Sequence, residues 1–218
     1  VLFTEGRFTD GLEFARRSVD LDPLTPFNHH NIGWGLYFAR RYDDAAAKYE
    51  KVVSEFPNYG FGYYGLSKIH RVIGETEAAL NENDKAMELM DNGIFSLLSE
   101  AECLAAAGQT EAAREKIDDL LRMAEDRYVS PYQLALAYCY LEDKAKALEC
   151  LDQARESKDP WLNWMGVEPV FDLIRDEPPF RRIWEEIGYY GLFDITDRTP
   201  SAAASDPKTQ EIGSRGVH

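Results

Sequence analysis

The feature that most constrains this chain is a period of 34 residues. Laid against itself at that displacement, the sequence puts Gly11, Ala45, Ala79, Ala113 and Ala147 in one column and Gly33, Ser67, Ala101 and Ala135 in another. Larger residues keep the same register: Leu36, His70, Leu104 and Tyr138 share a column, as do Tyr49, Asn83, Ile117 and Leu151. A fixed period of this length means one supersecondary unit stacked on copies of itself. Small residues are needed where two helix axes cross closely, and bulky ones fill the space beside the crossing. A single helical hairpin cannot bury its own apolar faces, so the units must stack. The expected fold is all-α, a solenoid of antiparallel helix hairpins.

Within one unit the order is His29, Ile32, Gly33 and Leu36, then Ala45 and Tyr49, then Pro57. This resembles the tetratricopeptide repeat (TPR), whose signature runs W-x2-L-G-x2-Y, A-x3-F, P. The column that holds Trp in the signature holds His29, Tyr63, Leu97 and Pro131 here. The resemblance implies a right-handed superhelix in which the first helix of each unit lines the inner face. Full units are expected at 26–59, 60–93, 94–127 and 128–161. Residues 1–25 read as the second helix of a truncated unit closing at Pro23, so the chain is expected to start inside a repeat.

Beyond 161 the period stops. Two short apolar stretches punctuated by Pro169, Pro178 and Pro179 read as a C-terminal helical cap over 162–193, with Trp161, Trp164, Phe171, Phe180 and Trp184 as its plug. Residues 194–218, rich in Ser, Ala, Pro, Gly and charge, read as a disordered tail. Local signals support the helical reading. Thr25-Pro26 and Ser130-Pro131 pair an N-cap residue with proline at the first helical position. Gly74 and Gly108 fall between the two helices of their units, where a left-handed turn is needed. Arg40 and Glu142 hold the same column, so those two turns are expected to form without glycine.

Composition narrows the partners. The net charge is -15 with an isoelectric point near 4.7. Such a surface repels phosphate backbones and anionic lipid, which argues against nucleic acid and membrane as partners. No stretch of about 18 apolar residues is present to span a bilayer. Cys103, Cys139 and Cys150 form no CxxC and are expected to be buried thiols of a cytoplasmic protein. His29 and His30 are about 100° apart on one helix, so they do not converge on a metal. Adjacent acids such as Asp43-Asp44, Asp118-Asp119 and Glu185-Glu186 read as solvated faces. No GxSxG, HExxH, Walker or GxGxxG motif occurs. Hence no catalytic residue, metal or cofactor is expected, and the chain reads as a non-enzyme.

What remains is the inner face. Helical spacing opposite the packing columns selects Phe27, His30, Asn31, Trp34 and Phe38 in the first full unit, then Phe61, Tyr64, Lys68 and Arg71 in the second. Phe95, Leu98 and Glu102 follow in the third, and Val129, Tyr132, Gln133, Leu136 and Tyr140 in the fourth. Aromatics with a few polar handles are typical of interface hot spots. Lys68 and Arg71, one turn apart, suggest an anchor for a carboxylate. The carboxylate clamp of some family members, which wants Lys, Asn, Asn, Lys and Arg, is absent: those columns hold His30, Trp34, Gly65, Phe95 and Ser99.

Residues 127–148 and 167–188, above all the run P-x-F-x-x-[LI]-R-x-[DE]-P-x-F from Pro169 to Phe180, resemble the TPR region C-terminal to effector domains in bacterial signalling proteins such as winged-helix regulators, adenylate cyclases and serine/threonine kinases. The expected function is a protein-interaction module holding a peptide or protein in an aromatic groove. The alternatives are a sensor that closes on a small molecule or short peptide, and a self-association module forming a homodimer.

Overall fold

A computed structural model describes residues 2–90 and 93–188. The expected tail at 194–218 and the last residues of the expected cap lie outside the described residues. Among the described residues ten α-helices follow in order: α1 Phe8–Leu21, α2 Pro26–Phe38, α3 Tyr42–Glu55, α4 Gly60–Ile73, α5 Thr76–Met90, α6 Gly93–Ala106, α7 Thr110–Met123, α8 Pro131–Tyr140, α9 Lys144–Glu156 and α10 Pro178–Glu186. Two 3-10 turns, Pro160–Trp164 and Pro169–Leu173, lie between α9 and α10. There is no strand among the described residues, and the molecule is an all-α solenoid.

The odd-numbered helices begin at 8, 42, 76, 110 and 144, each 34 residues after the last. Every turn before them contains a residue with positive φ in one column: Gly6 (71°), Arg40 (60°), Gly74 (82°), Gly108 (71°) and Glu142 (56°). The two turns without glycine therefore adopt the same left-handed geometry, at a cost of roughly 1–2 kcal/mol each. Of the two expected N-caps, Ser130 accepts from the Gln133 amide at 3.3 Å, but Thr25 does not cap its helix. The Thr25 hydroxyl instead donates to Asp22 Oδ2 at 2.6 Å.

Consecutive helices pack as neighbours from α1 to α7 and from α8 to α10, and α2, α4, α6 and α8 also touch in sequence to form the inner layer. The packing columns are buried: Ala45, Ala113, Ala147, Ser67, Ala101 and Ala135 are fully covered. Tyr49 is the largest residue of its column, and its ring lies between Gly33 and Gly65. A Cβ on Gly33 would sit 2.5 Å from Tyr49 Cε2. Shape complementarity thus fixes the small residue by the large one.

The C-terminal segment does more than cover the last repeat. Phe171, Ile174, Phe180, Ile183 and Trp184 join the core of α8 and α9, as a plug would. Val167, however, belongs to the core built by α1–α4. Between these two anchorages the chain crosses the concave face. Its path is held by Arg175, fully buried, whose guanidinium donates to the carbonyls of Gly166 (2.5 Å) and Glu168 (2.7 Å) and to Asp172 Oδ1 (2.9 Å). The run from Pro169 to Phe180 therefore has a structural basis: its Phe, Ile and Phe are core, and its Arg ties down the strut. Trp161 is not buried in the plug; it is 42% exposed, and Leu162 is the buried residue of that turn.

Candidate functional site: an aromatic cavity under the C-terminal strut

Crossing the concave face leaves a cavity of about 590 Å3. The inner helices supply its walls, since each turn of α2, α4 and α8 presents a side chain at i, i+3 or i+4 to the same face. Of the residues read from the sequence, Phe27, His30, Asn31, Trp34, Phe38, Phe61, Tyr64, Lys68, Phe95, Tyr132, Gln133 and Leu136 line it. Phe3, Tyr59, Met90, Trp161, Trp164 and Glu168 also line it. Sequence periodicity missed these six because none sits on the inner face of a repeat's first helix.

The rings form a continuous surface. His30 and Trp34 lie 5.2 Å apart between centroids, and Trp34 meets Phe38 edge-on at 5.3 Å. Tyr64 and Phe95 extend the surface at 4.7 Å. Trp164 of the strut stacks on Phe38 at 4.7 Å and stands perpendicular to Trp34 at 6.2 Å. Part of Trp34 is thus covered by the chain's own C-terminal segment.

The charges are spent internally. Glu168 is buried and sits 3.2 Å from the Lys68 ammonium, whose side chain is also buried. It also accepts the Tyr37 hydroxyl, a short bond between residues 131 positions apart. Asp172, one turn further, accepts Arg40 at 2.7 Å. Arg40 is one of the two non-glycine turn residues, and its side chain is what the strained turn supplies. His30 shares its Nδ1 with the Tyr49 hydroxyl at 3.2 Å, and burial depresses its pKa to about 4, so it is neutral near pH 7.

Arg71, Leu98, Glu102 and Tyr140 do not line the cavity, contrary to the helical-face reading. Arg71 is buried between layers, 2.9 Å from Glu102, and donates to the Ser99 carbonyl at 3.2 Å. Its guanidinium lies 5.7 Å from the Tyr140 ring. Leu98 packs in the core of α6 and α8. Val129, likewise, is core. The correction has one cause: the inner face of α6 turns into the contact with α8, so its polar residues pair with Arg71 rather than face the groove. The expected carboxylate anchor of Lys68 and Arg71 is therefore not present as a free pair, because each cation is neutralised by its own glutamate.

A row of hairpins with a 34-residue register and an inner face of this kind defines a helical-repeat scaffold. The tetratricopeptide repeat family model matches residues 30–91 of the chain, within this row of hairpins. An Hsp70-Hsp90 organizing protein of Triticum aestivum is similar to it, 28% identical over 123 residues that make up 56% of this chain. The aligned part is 21% of that relative's length. Among the described residues no helix is long and apolar enough to cross a membrane, and no cluster of three or more His, Cys, Asp or Glu forms a metal site. Cys103, Cys139 and Cys150 are buried free thiols.

Proposed function

We propose that this chain is a non-catalytic protein-interaction module whose partner inserts a peptide segment into the aromatic cavity. The observation that carries the reading is the cavity itself, about 590 Å3 walled by rings from α2, α4, α6, α8 and the strut. That volume is in the range of about 300–1,000 Å3 common to ligand sites, and aromatic side chains dominate binding energy at such surfaces. The relative's name, an organizing protein, supports a scaffold that brings other proteins together. The resemblance of 127–148 and 167–188 supports a place C-terminal to an effector domain in a bacterial regulatory protein.

The test is capture of a specific partner by the chain and by Trp34→Ala plus Tyr64→Ala. Loss of that one partner with unchanged helicity is expected; equal capture by both proteins overturns the reading. A second reading, a sensor for a small molecule, is favoured by the strut, which walls the groove and leaves a bounded cavity instead of an open channel. Saturable binding of a small apolar compound that changes Trp164 fluorescence, without any peptide binding, would select it.

A further inference from the structure

Resting on the peptide-groove reading, we propose that the cavity takes an uncharged, aromatic-bearing peptide stretch and discriminates against carboxylates. The first ground is charge. Lys68, the one cation of the lining among the described residues, is paired with Glu168 at 3.2 Å, and a carboxylate entering beside it would compete with a buried anion that already holds both Lys68 and Tyr37. His30 is neutral there, so no second cation compensates. An entering charge would lose its hydration to an apolar wall, which is unfavourable unless it is paired.

The second ground is unused hydrogen-bonding capacity. Among the described residues the side-chain amides of Asn31 and Gln133, on the first and last inner helices, have no partner. The Tyr132 hydroxyl is buried and also unpartnered. A side-chain amide both donates and accepts, and so matches the N–H and C=O of a peptide backbone. The third ground is length. Phe27, Phe61 and Trp161 line the cavity yet are 58%, 44% and 42% exposed. The apolar surface therefore runs out past the mouth, which suits a chain longer than the cavity rather than a compact molecule.

The probe is the capped peptide acetyl-Phe-Ala-Phe-Ala-Phe-amide, read by the intrinsic tryptophan fluorescence of the whole chain. It is expected to bind saturably, and the same peptide with both alanines replaced by aspartate is expected to bind at least about tenfold more weakly. Asn31→Leu plus Gln133→Leu is expected to weaken the neutral peptide by about tenfold or more through the loss of two hydrogen bonds, with the unfolding midpoint little changed. Equal or tighter binding of the aspartate peptide overturns the inference, as does an unchanged affinity in the amide variant. If the aspartate peptide binds and Trp34→Ala plus Tyr64→Ala abolishes it, the groove reading stands and the neutrality inference falls. If neither peptide binds while the partner captured through Trp34 and Tyr64 proves acidic, the inference falls in the same way.

Discussion

Replacing Glu168 by alanine should be among the most damaging single changes to this protein. The carboxylate is 3.2 Å from Lys68, and both side chains are almost wholly buried, at 3% and 4% exposure. Removing one member of such a pair leaves a buried charge uncompensated, typically about 3–5 kcal/mol. Tyr37 would also lose its acceptor, a penalty of about 1–3 kcal/mol that overlaps the first because the groups share one site. The expected loss is about 4 kcal/mol, a large share of the 5–15 kcal/mol typical of a domain. The double variant Lys68→Met plus Glu168→Met removes both charges at similar volume and should lie within about 1–3 kcal/mol of the parent, the remaining cost being the Tyr37 hydroxyl without its acceptor. Urea unfolding followed by circular dichroism and by tryptophan fluorescence measures both, since Trp164 on the strut and Trp34 on α2 report the junction. The cost of Glu168→Ala should hold between about 0.1 M and 1 M salt, because a buried pair is little screened. A loss under about 1 kcal/mol, or a double variant as damaged as the single ones combined, would refute the view that this pair locks the strut across the groove.

Three further outcomes follow from other contacts. His30 is buried neutral with a pKa near 4 against 6.5 unfolded, so the unfolded state binds its proton first and stability falls as pH drops through that window; from pH 8 to pH 5 the loss is about 2 kcal/mol, and His30→Gln should flatten that part of the pH–stability curve. Gly33→Ala would gain up to about 1 kcal/mol on helix propensity alone, but its Cβ would fall against Tyr49, so a net loss of about 1–3 kcal/mol is expected in urea unfolding, turning neutral or favourable in a Tyr49→Leu background. Arg71→Met should cost about 3–5 kcal/mol by stranding Glu102, while Arg71→Met plus Glu102→Met should recover most of it in the same assay.

Much of the site was legible from helical spacing because a repeat repeats its inner face. Phe27, His30, Trp34, Phe61, Tyr64 and Tyr132 reach the cavity for the same reason that Ala45 and Ala79 reach the core: position within the unit decides orientation. The departures are informative. Arg71, Glu102 and Tyr140 occupy inward columns yet leave the groove, because α6 and α8 close on each other and a buried cation takes the nearest carboxylate. Trp161 and Trp164 read alike as plug residues, and a 3-10 turn brings i and i+3 to the same side; both line the cavity instead, Trp164 stacked on Phe38 and Trp161 more exposed.

The sequence by itself determined the hairpin architecture. The 34-residue register set where the odd-numbered helices begin and where a left-handed residue must sit, even when that residue is Arg40 or Glu142, because both are consequences of local geometry repeated at a fixed spacing. Only the tertiary structure decided that residues 164–172 return across the concave face, that Glu168 meets Lys68 and Tyr37, and that Arg40 meets Asp172. These contacts join positions 100 residues or more apart and occur once. A pattern read from periodicity contains the interactions that every unit shares; an interaction made by a single aperiodic segment depends on the completed curvature of the solenoid, which alone brings the first repeats within reach of the last.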